Sequence, residues 1–166
     1  MAIEIKSLTG QIISKIDEVA LLYYRLVLVV APPGGGKTRA LQEVSSQTGL
    51  PYLNLNLELS RRLLDLTERQ RVMRVSRLLG DIVNSYADQA VLLDNTEILF
   101  DPSLKQNPLL LLQGVSRNKV IVAAWNGMVE KGHLTYATPD HPEYRRYPTR
   151  ELTIVTPSAD YTDFNR

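Results

Sequence analysis

The stretch L-V-L-V-V-A-P-P-G-G-G-K-T, Leu26 to Thr38, decides the fold. Its first half is an unbroken run of Leu and Val. Such a run reads as a strand buried on both faces, the habit of parallel sheets. Its second half, Ala31 to Thr38, matches the phosphate-binding loop pattern, with Ala31 at the first position, where Gly is more usual. Gly34, Gly35 and Gly36 let the backbone curl with its N–H groups inward, where side chains would obstruct a phosphate. A helix is expected from Lys37, and its positive end adds to the attraction. In this chemistry Lys37 reaches the β- and γ-phosphates and the Thr38 hydroxyl ligates magnesium, with Pro33 and Arg39 flanking the loop. The expected cofactors are therefore ATP and Mg2+.

Working outward, A-V-L-L-D, Ala90 to Asp94, is a second buried-strand run ending in a carboxylate. A P-loop NTPase needs such a carboxylate to hold the magnesium shell, so Thr38 and Asp94 form the expected metal pair. Asn95 stands where many additional-strand ATPases place a water-polarising Glu, and Asn cannot accept a proton. Glu97, two residues on, serves if the backbone turns it inward; otherwise it is a solvated carboxylate. A third buried run, Lys119 to Ala124, leads to Trp125-Asn126-Gly127. Asn126 is a candidate γ-phosphate sensor, although Asn-Gly is also a strong turn signal. Trp125 reads as a packing residue. Together these assign Lys37, Asp94, Glu97, Asn126, Arg145 and Arg146 to the catalytic set.

The remaining segments complete an α/β pattern. Helical spacing covers Glu4 to Tyr24, and Lys37 to Gln47 reads as a helix stopped by Gly49 and Pro51. Tyr52 to Leu57 alternates like a strand. Glu58 to Tyr86 reads as helix in two pieces, Leu104 to Val115 as a helix interrupted near Asn107-Pro108, and Leu152 to Val155 as a last strand. Gly127 to Pro148 has no clear assignment. The expectation is one domain over 1–166, with an N-terminal helix at about 4–24 and a flexible tail at 157–166. Its architecture is a three-layer P-loop fold with a mostly parallel five-stranded sheet of the additional-strand type. In that type the Lys119 strand lies between the P-loop strand and the Asp94 strand. No helical lid is expected after Val155.

Composition narrows the class. The chain has 166 residues, 44% hydrophobic and 22% charged, which suits a globular domain. A net charge of +1 points neither toward nucleic acid nor away from it. With no cysteine, thiolate zinc sites and thiol nucleophiles are excluded. The longest apolar run is broken by Arg25 and ends at Pro32-Pro33, short of the about 20 residues that span a membrane. No signal-peptide pattern opens the chain, so a cytoplasmic location is expected. Arg61, Arg62, Arg69, Arg71, Arg74 and Arg77 form a basic run. A solvated helix face is the default reading, and a DNA phosphate contact through residues 61–77 is the alternative. Arg145 and Arg146, then Arg117, are the candidates for an arginine finger given in trans, which calls for a homo-oligomer or partner. His133 and His141 read as structural.

Three longer strings carry a specific resemblance. N-L-N-L-E-L-S-R-R-L-L (Asn54 to Leu64), V-L-L-D-N-T-E-I-L-F-D-P-S-L-K-Q (Val91 to Gln106) and H-L-T-Y-A-T-P-D-H-P-E-Y-R-R-Y (His133 to Tyr147), with the P-loop, resemble the BrxF family. These are the small P-loop proteins of type 3 BREX (bacteriophage exclusion) systems. The resemblance implies a cytoplasmic role in anti-phage defence beside the other proteins of such a system, including a DNA methyltransferase. It also implies phosphate-binding roles for Gly34, Gly36, Lys37 and Thr38 and a magnesium role for Asp94. From the residues alone three functions stand: an ATPase motor or switch, a nucleotide-binding switch with little hydrolysis, and a small-molecule kinase with Arg145 and Arg146 as lid arginines.

Overall fold

A computed structural model describes residues 7–157. The expected helical start at 4–6 and the expected tail from 158 on lie outside the described residues. Helix α1 spans Leu8–Val19, capped by the Ser7 hydroxyl, which accepts the Gly10 N–H. Residues 20–24, expected to continue it, form a turn and bends. Strand β1, Leu26–Ala31, is buried along its whole length and enters the Gly-rich loop, after which α2 spans Lys37–Thr48.

The alternating stretch after α2 folds differently from its pattern. Strand β2 covers only Tyr52–Asn54, because Asn54 Oδ1 accepts the Leu57 N–H and turns the chain into α3, Leu55–Leu63. Leu55, Leu59 and Leu63 are buried at helical spacing, so a period-2 string serves a helix face. A reciprocal Thr67–Gln70 capping box opens α4, Glu68–Asn84. Strand β3, Ala90–Asp94, is followed by 3-10 turns at Thr96–Phe100 and Pro102–Leu104. Helix α5, Pro108–Val115, starts where an interruption was expected, with Asn107 as its cap and Pro108 in its first turn.

Strand β4 runs from Val120 to Glu130, well beyond the expected Ala124. Asn126-Gly127 is therefore strand, not turn. The reversal comes at Lys131-Gly132, both with positive φ (51° and 73°), as a two-residue hairpin turn requires. Strand β5, His133–Tyr136, returns antiparallel to β4, and β6, Arg145–Pro148, pairs antiparallel to β5. This hairpin fills most of the unassigned Gly127–Pro148 stretch. Gly127 is needed there because a Cβ would sit 1.8 Å from the Thr135 carbonyl oxygen. Strand β7, Thr153–Val155, pairs with β1.

The parallel strands are ordered β2-β3-β4-β1-β7. Side chains alternate across this sheet. Leu26, Leu28 and Val30 of β1 face a core shared with α3, α4 and α5, while Val27 and Val29 face one shared with α1 and α2. The protein is thus an α/β fold with a mostly parallel sheet and helices on both faces.

Candidate nucleotide-binding site

The alternation that builds the second core also builds the site. Ala90 and Leu92 of β3, and Val120, Val122 and Ala124 of β4, belong to the core under α2. Two residues further along each strand, Asp94 and Asn126 fall on that same face at the C-terminal edge of the sheet. The loop after β1 leaves from the same edge. Pro33, Gly34, Gly36, Lys37, Thr38, Arg39 and Gln42 line a cleft of about 450 Å³ together with Asp94, Asn95, Glu97 and Asn126 from β3, the turn after it and β4.

The loop needs its three glycines for two reasons. Gly34 (φ 78°) and Gly36 (φ 89°) occupy left-handed backbone. Gly35 is held by close approach, since a Cβ there would lie 2.8 Å from the Ala31 Cβ and 2.9 Å from the Pro32 carbonyl oxygen. Lys37 is buried, and its Nζ donates to the Ala31 and Pro32 carbonyls, each at 2.9 Å. Burial lowers the pKa of its ammonium, and the nearby Glu97 and Asp94 carboxylates oppose that shift.

Thr38 Oγ1 donates to Asp94 Oδ2 at 2.7 Å, and Asp94 Oδ1 accepts the Asn95 N–H at 2.9 Å. A hydroxyl that gives its proton to the carboxylate keeps its lone pairs for a cation. The pair offers only oxygen donors, the set that suits Mg2+. Among the described residues no cluster of three or more His, Cys, Asp or Glu is placed to hold a metal. A cation here would draw its other ligands from water and the nucleotide's phosphates, as Mg2+ commonly does.

Asn95 takes left-handed backbone (φ 55°, ψ 53°), a conformation Asn tolerates better than most residues. The following turn is tied to β4 by the buried Thr96 hydroxyl, which donates to the Ala124 carbonyl at 2.5 Å. These two features bring Glu97 inward, where its Oε1 accepts from Asn126 Nδ2 at 2.5 Å. Neither Thr96 nor Tyr52, whose hydroxyl donates to Asp94 Oδ2 at 2.6 Å, was singled out in the sequence. The end of its buried strand marked Asp94, but no local signal marks a tyrosine reaching across from a neighbouring strand.

The arginines lie elsewhere in their own chain. Arg145 donates from Nη2 to the Gln106 carbonyl at 2.9 Å, anchoring the outer hairpin strand. Arg146 is exposed, with Nη2 3.2 Å from His133 Nδ1. Neither lines the phosphate cleft of its own chain, because the hairpin register turns them to other partners. Arg117 precedes β4 and so lies at the end of the sheet opposite the P-loop, its guanidinium 4.6 Å over the Tyr23 ring. In the basic run, Arg61 and Arg62 pair with Glu58, and Arg71 Nε donates to the Leu63 and Leu66 carbonyls at the end of α3. Arg69, Arg74 and Arg77 are exposed. Trp125 is fully buried, donates Nε1–H to the Thr135 carbonyl and meets Phe100 and Tyr136 edge-on, so it packs and stacks no ligand. No described helix is long and apolar enough to cross a membrane.

No family model matches the chain, and no curated protein matches it. Among solved structures, one of katanin concerning its self-assembly shares 22% identity, covering 62% of this chain and 34% of that one, with a TM-score of 0.37. One of C. elegans PCH-2 shares 19%, covering 75% of this chain and 39% of that one, with a TM-score of 0.42. The chain thus spans little more than a third of either neighbour's length. The chemistry of the cleft rests on its own geometry.

Proposed function

We propose that this chain binds Mg-ATP as a P-loop NTPase of the additional-strand type. One observation carries the proposal: a glycine loop closed by its own lysine sits beside a Thr38–Asp94 pair at hydrogen-bond distance. The position of β4 between β1 and β3 supports the additional-strand assignment. In this function the loop N–H groups and the start of α2 bind phosphate oxygens. Lys37 exchanges its two carbonyl partners for the β- and γ-phosphates. Thr38 and Asp94 hold the magnesium, which supplies charge neutralisation on the phosphates. Glu97 polarises the attacking water, and Asn126 orients Glu97.

A switch with little hydrolysis is the second reading, and the Glu97–Asn126 contact favours it. A carboxylate already engaged by an amide, with Asn95 beside Asp94, makes a slow ATPase until the contact is rearranged. The arginine for rapid turnover then comes from a partner or a second copy, with Arg145 or Arg146 released from its present contact. The resemblance of Asn54–Leu64, Val91–Gln106 and His133–Tyr147 to BrxF supports a place in a type 3 BREX defence complex. The exposed Arg69, Arg74 and Arg77 are the surface for a DNA contact in that setting.

The test is calorimetric titration of ATP with magnesium into the parent and Lys37→Ala. Tight binding by the parent, and its loss in a variant that keeps the parent's circular dichroism, is expected. Equal affinity in both would end the P-loop proposal.

A further inference from the structure

Tyr52 is a half-buried residue on β2, packed against the core under α2. Its hydroxyl donates to Asp94 Oδ2 at 2.6 Å, the same oxygen that takes the Thr38 proton at 2.7 Å. Gln42, on α2, lies near the Tyr52 hydroxyl and lines the phosphate cleft. A hydroxyl from β2 and a hydroxyl from α2 therefore meet on the β3 carboxylate that would hold magnesium. Both Asp94 oxygens are fixed, Oδ1 by the Asn95 N–H and Oδ2 by two hydroxyls. A carboxylate held at three points has little freedom to rotate out of the orientation its metal requires. Partners behind a metal ligand typically change metal affinity 10–100-fold when removed.

We infer that Tyr52 is a positioning residue for the magnesium site: its hydroxyl holds the Asp94 carboxylate in the orientation that receives the cation. The inference rests on the Mg-nucleotide function proposed above. Tyr52 does not line the cleft, so its effect should appear in magnesium dependence and not in metal-free nucleotide affinity. A residue that merely packed would shift both or neither.

The experiment compares the full chain with Tyr52→Phe, which keeps the ring and removes only the hydroxyl. ATP binding is measured by calorimetry in EDTA and at stepped free magnesium, with a thermal melt of each protein. For Tyr52→Phe the metal-free ATP affinity should match the parent's. The magnesium concentration giving half of the metal-dependent gain should rise by about tenfold or more. Should Tyr52→Phe fail to fold, Tyr52→Met, a flexible side chain that also lacks the hydroxyl, should shift the magnesium midpoint in the same direction. An unchanged magnesium midpoint, or an equal loss of affinity with and without the metal, overturns the positioning role. If the parent itself binds no ATP under either condition, the Mg-nucleotide function falls and the role of Tyr52 with it. A parent that binds normally beside an unaltered variant removes only Tyr52.

Discussion

Replacing Gly127 by Ala should cost far more than a glycine-to-alanine change in a strand usually does. An added Cβ would lie 1.8 Å from the Thr135 oxygen, 2.9 Å from its carbonyl carbon and 3.1 Å from Trp125 Nε1. Carbon and oxygen normally approach no closer than about 3.3 Å, so β5 must back away by about 1.5 Å. The obstacle is backbone, and no rotamer change relieves it. Moving the Thr135 carbonyl also breaks its bond from Trp125 Nε1, at 3.1 Å, and leaves the indole N–H of a fully buried residue unpaired. An unsatisfied buried donor costs about 1–3 kcal/mol, and forced overpacking about 1–3 kcal/mol. Their sum, about 2–6 kcal/mol, is a large part of the roughly 5–15 kcal/mol by which a domain is stable. For a chain of this size each kcal/mol lowers the melting temperature by about 2–4 °C. A drop of roughly 4 to 24 °C is therefore expected by calorimetry or circular dichroism, with ATP binding impaired because Asn126 is the adjacent residue. Gly132→Ala, with φ 73° and nothing within contact distance, is the control and should lose only about 1 kcal/mol. If Gly127→Ala melts within about 2 °C of the parent, the close approach of β4 and β5 is wrong.

Asp94→Ala should retain some ATP binding in EDTA but lose the gain given by magnesium, together with turnover; hydrolysis at the parent rate would make Asp94 a structural acceptor for Thr38 and Tyr52 only. Stability should fall as pH rises from about 10 toward 12. Burial beside Phe100, with Glu143 and Glu97 nearby, pushes the Tyr136 hydroxyl from 10.0 up to about 12. The unfolded chain therefore loses that proton first, and the folded state's advantage declines through this window. Urea titrations across it should show a shallower decline for Tyr136→Phe, and identical slopes would contradict the assignment. An Arg145- or Arg146-substituted chain mixed with a Lys37-substituted chain should recover turnover if the finger is given in trans. Fingers are worth on the order of 10³–10⁵ in rate. A fast ATPase strictly proportional to concentration would refute a shared site.

The phosphate loop and the strands around it were legible because their signals are local. A Leu/Val run, three glycines and a Lys-Thr pair need no distant partner to be read. The strand order was expected from the additional-strand type, which places the Lys119 strand between the P-loop strand and the Asp94 strand, and β4 does lie between β1 and β3. What escaped the sequence depended on competition between local rules. Tyr52 to Leu57 alternates, but the Asn54 side chain offers the backbone a cap, and Leu55, Leu59 and Leu63 satisfy a helix equally well. Asn126-Gly127 has turn chemistry, yet the turn formed at Lys131-Gly132, because Gly127 was needed where two strands nearly touch. Arg145 and Arg146 were placed by their charge and position near a strand. Their actual partners, the Gln106 carbonyl and His133, are set by a hairpin that the unassigned stretch did not reveal.

Strand β4 passes from the middle of the sheet, past Asn126, and out to the hairpin tip at Glu130 as one unbroken element. Four residues of strand measure about 13 Å, so the tip stands that far beyond the residue that grips Glu97. A tilt of about 10° at Asn126 would carry Glu130 some 2 Å over that 13 Å arm. The same polypeptide segment is therefore both a wall of the cleft and a pointer outside it. A molecule resting on the hairpin tip would be joined to the cleft by one continuous strand, with no loop between Asn126 and Glu130.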